Sequence, residues 1–307
     1  ESQVIDPFGG VSDIKAGILR HVSDAFVEDP LRVYRLARFA ARFNWVIAPE
    51  TYRIAQSVPW DEILALSGER VWAETEKALM MPHPTRFFEE LARMKVLGLW
   101  HREVMNLINV PAGPPEHHQE GDSFRHTMMV LDHAREQTAD EQQYDRKLAI
   151  RFGALVHDFG KGTTPHLLWP RHTDHDRRGV PEIERFCNRL HVQNYVRDCG
   201  VVASREHMRV HWFLDMKKGK MVDLVKAADR TLMKAEGLAV VCSADCHGRI
   251  PDGDPTGSVA LRIAAGAARA ERGQPVPVSL KGEHIGLHIR NKKGNAVRRA
   301  LKEAGLL

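Results

Sequence analysis

The chemistry this sequence could perform rests on His126, the adjacent pair His157-Asp158, and Asp245. His126 lies within Phe-Arg-His-Thr-Met-Met-Val-Leu, His157-Asp158 runs on into Phe159, Gly160 and Lys161, and Asp245 lies within Ser-Ala-Asp-Cys-His-Gly-Arg. Imidazole and carboxylate donors from separate helices can hold a divalent cation and leave positions open for water. Such a cation acidifies its water and offsets charge on a phosphoryl oxygen, which is what phosphoester hydrolysis requires. Lys161, just past the aspartate, would neutralise phosphate charge in the transition state, so His157, Asp158 and Lys161 are the candidate catalytic residues. Singly, each residue is weak evidence, since a solitary helical histidine is more often a core or surface group. Together, on predicted helices, they favour a metal site over coincidence. The Cys242-x-x-x-Cys246-His247 run lacks the spacing of a zinc knuckle and reads as buried helix cysteines.

Helical periodicity supplies the elements that must position these groups. Leu36, Phe39, Ala40 and Phe43 repeat on one face behind Pro30, with Arg32, Arg35, Arg38 and Arg42 on the flank. Helices are predicted at Glu69–Met81, stopped by Pro82 and Pro84, and at Thr85–Val96. The breaker-rich run Val110-Pro-Ala-Gly-Pro-Pro115 is the clearest linker. Beyond it the pattern predicts helices at Ser123–Glu136, Arg146–Phe159, Pro181–Leu190, Val196–His211, Met221–Asp229 and Leu232–His247, with Gly160–Gly179 as a loop. An Ala-rich helix at Gly257–Arg272 and a basic terminal helix from Asn295 follow. Strand signal is confined to a short run at Val276–Leu280. The fold class is therefore all-α: a helical unit over 1–111, the metal-bearing helical domain over 112–250, and a basic helical tail over 251–307.

A length of 307 residues suits two or three compact units, with 43% hydrophobic and 27% charged residues. No apolar run is long enough to cross a bilayer, which argues against a membrane partner. The four scattered cysteines make no disulfide framework, which points to a reducing cytoplasm. The chain starts at Glu1 in what reads as mid-domain sequence, which suggests a preceding N-terminal part, trimming of a short tag being an equally simple alternative. Charge is unevenly placed: residues 1–111 carry 13 Lys/Arg against 15 Asp/Glu, and residues 262–307 carry 10 against 3. A basic tail suits a phosphate backbone, with a solvated helical face as the alternative.

The His…His-Asp…Asp order resembles the HD superfamily of phosphohydrolases. That resemblance implies metal ligation by His126, His157, Asp158 and Asp245, with a divalent ion (Mg, Mn or Ni) as cofactor. Further histidines, His172, His175, His207 and His211, offer a second metal as in two-metal members. His207 and His211 share one helix face, and a phosphate-contacting or supporting role is preferred for them over direct ligation. The stretch over residues 4–43, including Glu28-Asp29-Pro30-Leu31-Arg32, is by itself a turn and an amphipathic basic helix. Asp29 and Arg32 could present acceptor and donor groups to a nucleobase edge, or form a structural salt bridge at the helix start. The stretch looks like the neck of bacterial class II tRNA nucleotidyltransferases, the CCA-adding enzymes. The likeness extends through Glu69-Arg-Val-Trp-Ala-Glu-Thr-Glu-Lys-Ala-Leu79, Phe87-Phe-Glu-Glu-Leu91 and Leu167-Leu-Trp-Pro-Arg-His172, and covers about residues 4–250.

The members resembled most are those with a C-terminal HD domain. This likeness implies base-templating by Asp29 and Arg32, with Arg35 and Arg38 beside them in a nucleotide-binding neck. It implies tRNA as partner, CTP and ATP where a nucleotide-transfer head is present, and 2′,3′-cyclic phosphodiesterase, 2′-nucleotidase and phosphatase activity in the HD domain. No segment here supplies the family's glycine-rich loop and paired carboxylates, so nucleotide addition by these residues alone is not expected. The sequence thus reads as a tRNA 3′-end maturation or repair protein bearing a metal-dependent phosphohydrolase. A tRNA-binding module without catalysis and an HD hydrolase of free nucleotides are the rival readings.

Overall fold

The computed structural model describes residues 5–277 and 279–307. They divide into two compact units, residues 1–108 with 184–193, and residues 109–183 with 194–307. Both are built from helices. Among the described residues the only sheet is a parallel pairing of β1 (Ile18–Leu19) with β2 (Val46–Ile47), which the residue pattern did not signal.

In the first unit, α1 (Gly10–Ala16) precedes α2 (Leu31–Phe43). Pro30 opens α2, where its missing N–H costs nothing, and Asn44 closes it in the left-handed conformation with its N–H on the Ala40 carbonyl. Val33, Tyr34, Leu36, Ala37, Ala40 and Ala41 form the buried stripe of this helix. Short helices α3 (Pro49–Ser57) and α4 (Trp60–Leu64) lead to α5 (Gly68–Leu79) and α6 (Thr85–Arg93), near their expected bounds. Then come α7 (Leu97–Trp100) and α8 (Arg102–Met105). The core gathers Tyr34, Phe87 and Phe88 around His101, with ring centroids 5.8–6.0 Å from the imidazole.

The second unit holds α9 (Ser123–Gln137), α10 (Tyr144–Val156), α12 (Asn194–His211), α13 (Lys218–Asp229), α14 (Lys234–His247), α15 (Thr256–Ala270) and α16 (Glu283–Glu303). Its core runs continuously through Ile150, Cys199, Ala203, Phe213, Leu224, Leu238, Leu261, Val297 and Leu301. Gly200 lets α10 and α12 approach closely, since a Cβ there would lie 2.7 Å from the Phe152 ring.

Several elements differ from expectation, and packing explains each. Helix α10 stops at Val156, so His157 is its capping residue and Asp158 begins a tight 3₁₀ turn over Phe159–Thr163. Helix α11 (His175–Leu190) starts six residues before Pro181 and enters the segment expected to be a loop. Residues 175–183 belong to the second unit and 184–190 to the first. Its first turn is secured from outside: Ser204 Oγ donates to the Asp176 carbonyl at 3.0 Å, and Gly179 packs against Ser204. Such tertiary contacts override the helix-breaking tendency of an interior proline. Helix α16 begins at Glu283 instead of Asn295 because Arg290 donates twice to Asp223, at 3.0 and 2.6 Å. Residues 251–307, expected as a tail, contribute Leu261, Val297 and Leu301 to the core of the second unit. Of the run expected to be extended, Val278 lies outside the described residues, and its described members hold no strand.

Candidate metal centre

Each expected ligand has a local structural cause. Asp122 caps α9 by accepting the Arg125 N–H at 2.8 Å, and it also accepts the Asn109 N–H at 2.8 Å. His126 therefore sits one turn into a firmly started helix. His157 and Asp158 stand where α10 gives way to the 3₁₀ turn, so the two side chains leave the helix together. Gly160 is required next: a Cβ there would lie 1.9 Å from the His175 carbonyl oxygen and 2.7 Å from the Gly179 nitrogen. Asp245 projects from the last turn of α14.

The structure brings these residues together. His126 Nε2 lies 3.1 Å from Asp245 Oδ1 and 3.6 Å from Asp158 Oδ2. His157 Nε2 lies 3.3 Å from Asp158 Oδ2 and 3.9 Å from Asp245 Oδ1. The other Asp158 oxygen, Oδ1, faces His175 Nε2 at 3.3 Å and His207 Nε2 at 3.6 Å. Two donor sets result, His126/His157/Asp245 and Asp158/His175/His207, with Asp158 between them. His207, for which a phosphate or supporting role was preferred, thus stands in the second donor set. His211 stands behind Asp245, 2.7 Å from Oδ2, and Arg249 reaches the same oxygen at 3.3 Å. His172 is not in either set: its Nε2 bonds the Pro111 carbonyl at 2.7 Å and its Nδ1 the Thr164 hydroxyl at 2.9 Å.

The imidazole tautomers follow from the backbone. Nδ1 of His126, His157, His175 and His207 meets the carbonyls of Gly248, Ala154, His172 and Ser204 at 3.0, 2.8, 2.7 and 2.7 Å. A carbonyl oxygen only accepts, so each Nδ1 carries the proton and each Nε2 presents its lone pair to the cluster. His175 Nε2 and His207 Nε2 face each other at 3.1 Å, and His157 Nε2 and Asp158 Oδ1 are buried without a hydrogen-bond partner. Lone pairs converging without protons between them are costly unless a cation sits there, so these residues fit a metal ion.

Electrostatics point the same way. Burial alone would raise the Asp158 carboxyl, but Lys161, His157 and His175 hold it well below its usual range. Burial likewise opposes the charged form of Asp245, and Arg249, His126 and His211 outweigh it. Burial lowers His126, yet Asp245 and Glu120 raise it overall, so in the metal-free chain the carboxylates draw toward this imidazole the positive charge that a bound cation would supply. His207 is held well below its usual value by burial and by His175, which keeps it neutral. Lys161 Nζ lies 2.6 Å from Asp158 Oδ2 and donates to the Ala112 carbonyl at 2.8 Å. With Arg171 and Arg249 it lines a pocket of about 290 Å³ over the two donor sets.

Sequence reasoning missed Glu120, His118 and Arg249. Glu120 is fully buried, its Oε1 2.7 Å from His118 Nδ1 and 3.2 Å from His126 Nδ1, while Oε2 accepts the Ile250 N–H at 2.9 Å. It lies between the linker expected over 110–115 and the helix expected from Ser123, where no element is predicted, and no spacing ties it to His126. Gly113 makes room for the His118 ring, since a Cβ there would lie 2.3 Å from Cδ2.

The residues expected to face a nucleotide in the first unit stand at and beyond the start of α2. The Asp29 carboxylate accepts the Leu31 N–H at 3.1 Å and lies 3.3 Å from Arg70, while the Arg32 guanidinium bonds the Ala25 carbonyl. The Arg32 N–H bonds the Asp29 carbonyl at 2.9 Å, but the two side chains are not paired with each other. Arg38 pairs with Glu74 at 2.5 Å and stacks over Phe39. Arg32 and the exposed Arg35 line a pocket of about 260 Å³ with His21, Phe26 and Phe39. No helix among the described residues is long and apolar enough to cross a membrane.

Known proteins resemble both units. An HD domain family matches residues 123–234, and the family described as a probable RNA and SrmB-binding site of polymerase A matches residues 47–106. A multifunctional CCA protein of Nitrosomonas eutropha is 43% identical over 249 residues, 80% of this chain and 58% of the relative, so the chain spans little over half of that protein. The multifunctional CCA protein of Nitrosococcus oceani is 38% identical over 307 residues, 98% of this chain and 74% of the relative. Among solved structures, a CCA-adding enzyme in apo form I superposes with a TM-score of 0.62 at 17% identity, over 98% of this chain and 65% of that one. The Thermotoga maritima CCA-adding enzyme complexed with tRNA_CCA gives 0.60 at 15% identity, over 98% and 67%, and at such identities the likeness speaks for the fold. On the extent and identity of the Nitrosococcus match, the chain belongs to the multifunctional CCA protein family.

Proposed function

We propose that the second unit is a metal-dependent phosphohydrolase acting on phosphoesters at the 3′ end of tRNA, within a protein of tRNA 3′-end maturation or repair. Four imidazoles with Nδ1–H on backbone carbonyls, their Nε2 atoms converging on Asp158 and Asp245, carry this reading. His126, His157, Asp158 and Asp245 would hold one divalent ion, and Asp158 with His175 and His207 a second. When bound, such an ion supplies Lewis acidity and an acidified water at neutral pH. The chain's own residues do the rest. Lys161, Arg171 and Arg249 line the pocket where a phosphate would sit, and their charge favours the developing negative charge there. Lys161 would exchange its contact with Asp158 for one with substrate. His211 fixes the Asp245 carboxylate, and Glu120 orients His126 from behind.

The solved CCA-adding enzyme with tRNA_CCA supports tRNA as the partner, and CCA-adding enzyme structures with ATP and with CTP support those nucleotides where a nucleotide-transfer head accompanies these residues; Arg32 and Arg35 are the groups we assign to the nucleotide side. A reducing cytoplasm is the compartment that fits four cysteines with no disulfide between them. The specific substrates proposed for the HD site are 2′,3′-cyclic phosphates, 2′-phosphates and phosphomonoesters. Hydrolysis of 2′,3′-cyclic AMP by the purified chain with Mg, Mn or Ni tests this. Asp158→Ala should abolish the metal-stimulated rate and lower bound metal while helical content by circular dichroism is kept. Undiminished turnover in that variant would remove the proposed centre, and absence of bound metal in the wild type would favour a non-catalytic tRNA-binding module.

A further inference from the structure

A cleft of about 470 Å³ on the second unit lies among α11, α12 and α13 and takes no part in the metal centre. Arg177, Arg205, Lys217 and Lys220 line it, all exposed and none in an ion pair among the described residues. Its acidic members are largely committed: Glu206 pairs with Arg209, and Asp223 with Arg290 at 2.6 Å, leaving Asp176. Among the described residues, four cations outside ion pairs against one such carboxylate, with Arg205 only near the Glu206 that Arg209 holds, leave the cleft with a net positive surface.

The cleft shares its elements with the metal centre. Arg177 is two residues from His175, and Arg205 two residues from His207. Ser204 Oγ, donating to the Asp176 carbonyl at 3.0 Å, ties the two helices together between cleft and centre. Trp212 directly follows His211 and is 64% exposed, which is unusual for an indole without a ligand. Trp212 lies in the chain between the cleft-lining Arg209 and Met216, and clustered cations with an aromatic face for the same strand are how single-stranded nucleic acid is held, by phosphate contacts and base stacking. A free mononucleotide would use one or two such contacts, whereas Arg205 and Arg209, four residues apart, are already separated by about 6 Å along α12.

We propose that this surface docks the backbone of a single-stranded RNA end, with Trp212 stacking a base, and presents the terminal phosphate to the metal centre. The hydrolase reading underlies the second half of this statement, and the test separates the two. Anisotropy of a labelled single-stranded RNA of about twelve nucleotides, a span usual for such grooves, measures docking without catalysis. Arg205→Ala/Lys217→Ala/Lys220→Ala should weaken binding at least tenfold and flatten the slope of log K against log salt by about 2, at about 0.7 per lost phosphate contact. Trp212→Ala should cost about tenfold with the salt slope unchanged. On 2′,3′-cyclic AMP the triple variant should keep kcat/KM within about twofold, while on RNA ending in a 2′,3′-cyclic phosphate it should lose at least tenfold through KM. Unchanged RNA affinity and salt slope would overturn the proposal, as would equal losses on both substrates. Failure of the wild type to hydrolyse either substrate would remove the hydrolase reading, with the anisotropy result still deciding the docking surface.

Discussion

Replacing Glu120 by glutamine perturbs the metal centre without touching a proposed ligand. Glu120 Oε1 accepts from His118 Nδ1 at 2.7 Å and lies 3.2 Å from His126 Nδ1, and its Oε2 accepts the Ile250 N–H at 2.9 Å. Glutamine retains a single acceptor oxygen. If that oxygen stays on the Ile250 N–H, the new NH₂ points at two imidazole N–H groups; if it turns to the histidines, the Ile250 N–H loses its partner. Either way the negative charge that supports His126 is gone. Outer carboxylates of this kind are worth about 10- to 100-fold in metal affinity. The Gly248 carbonyl still holds His126 Nδ1 at 3.0 Å, so the tautomer survives and the lower part of that range applies. The expected loss is about 10- to 30-fold, roughly 1.4–2 kcal/mol. Titration of metal-free protein with Mn or Ni against a competing chelator reads this directly, with helical content and melting as controls. Affinity unchanged within about twofold would refute the claim that the carboxylate behind His126 sets its strength as a ligand.

Two further outcomes follow from other places in the fold. Gly160→Ala would put a methyl group 1.9 Å from the His175 carbonyl oxygen, a backbone atom that cannot rotate away. The start of α11 must shift and draw His175 from Asp158, so metal stoichiometry by elemental analysis should fall and stability should drop by about 1–3 kcal/mol; full occupancy in this variant would refute the second donor set. In the first unit, burial and the nearby Arg189 charge push His101 down to about 3. The unfolded chain therefore takes up a proton at this histidine below about pH 6.5 that the folded state refuses, and stability falls as pH drops from there toward 3. Between pH 6.5 and 4 the loss is about 3 kcal/mol, at 1.36 kcal/mol per unit. The pH dependence of denaturant unfolding should flatten by that amount in His101→Phe, and a variant as acid-sensitive as wild type would show that another group governs.

Much of the helical architecture is legible in the residues themselves. The stripe of α2, the breaker-bounded α5 and α6, and helices α9, α12, α13 and α14 fall near their predicted bounds, because a 3.6-residue apolar repeat and the punctuation by proline, glycine and asparagine are local properties. The first turns of α11 and most of α16 were not legible. Pro181, Gly286 and the dense charge of α16 argue locally against helix, and Ser204, Asp223 and the core around Val297 and Leu301 override them from distant parts of the chain.

The metal centre divides along the same line. The types and order of His126, His157-Asp158 and Asp245 are written in the sequence, because ligand chemistry belongs to the side chains, whereas the need for glycine at 160 comes from the His175 carbonyl packed against it. Which nitrogen of each imidazole faces inward is decided by carbonyls of Gly248, Ala154, His172 and Ser204, only some of which lie nearby in the chain. The division of Asp158 between two donor sets, the selection of His175 and His207 from the four further histidines that the sequence offered, the exclusion of His172 and the support from Glu120 and Arg249 came from the fold. Distances of about 3 Å between residues scores of positions apart are set by helix packing, and no local pattern encodes them.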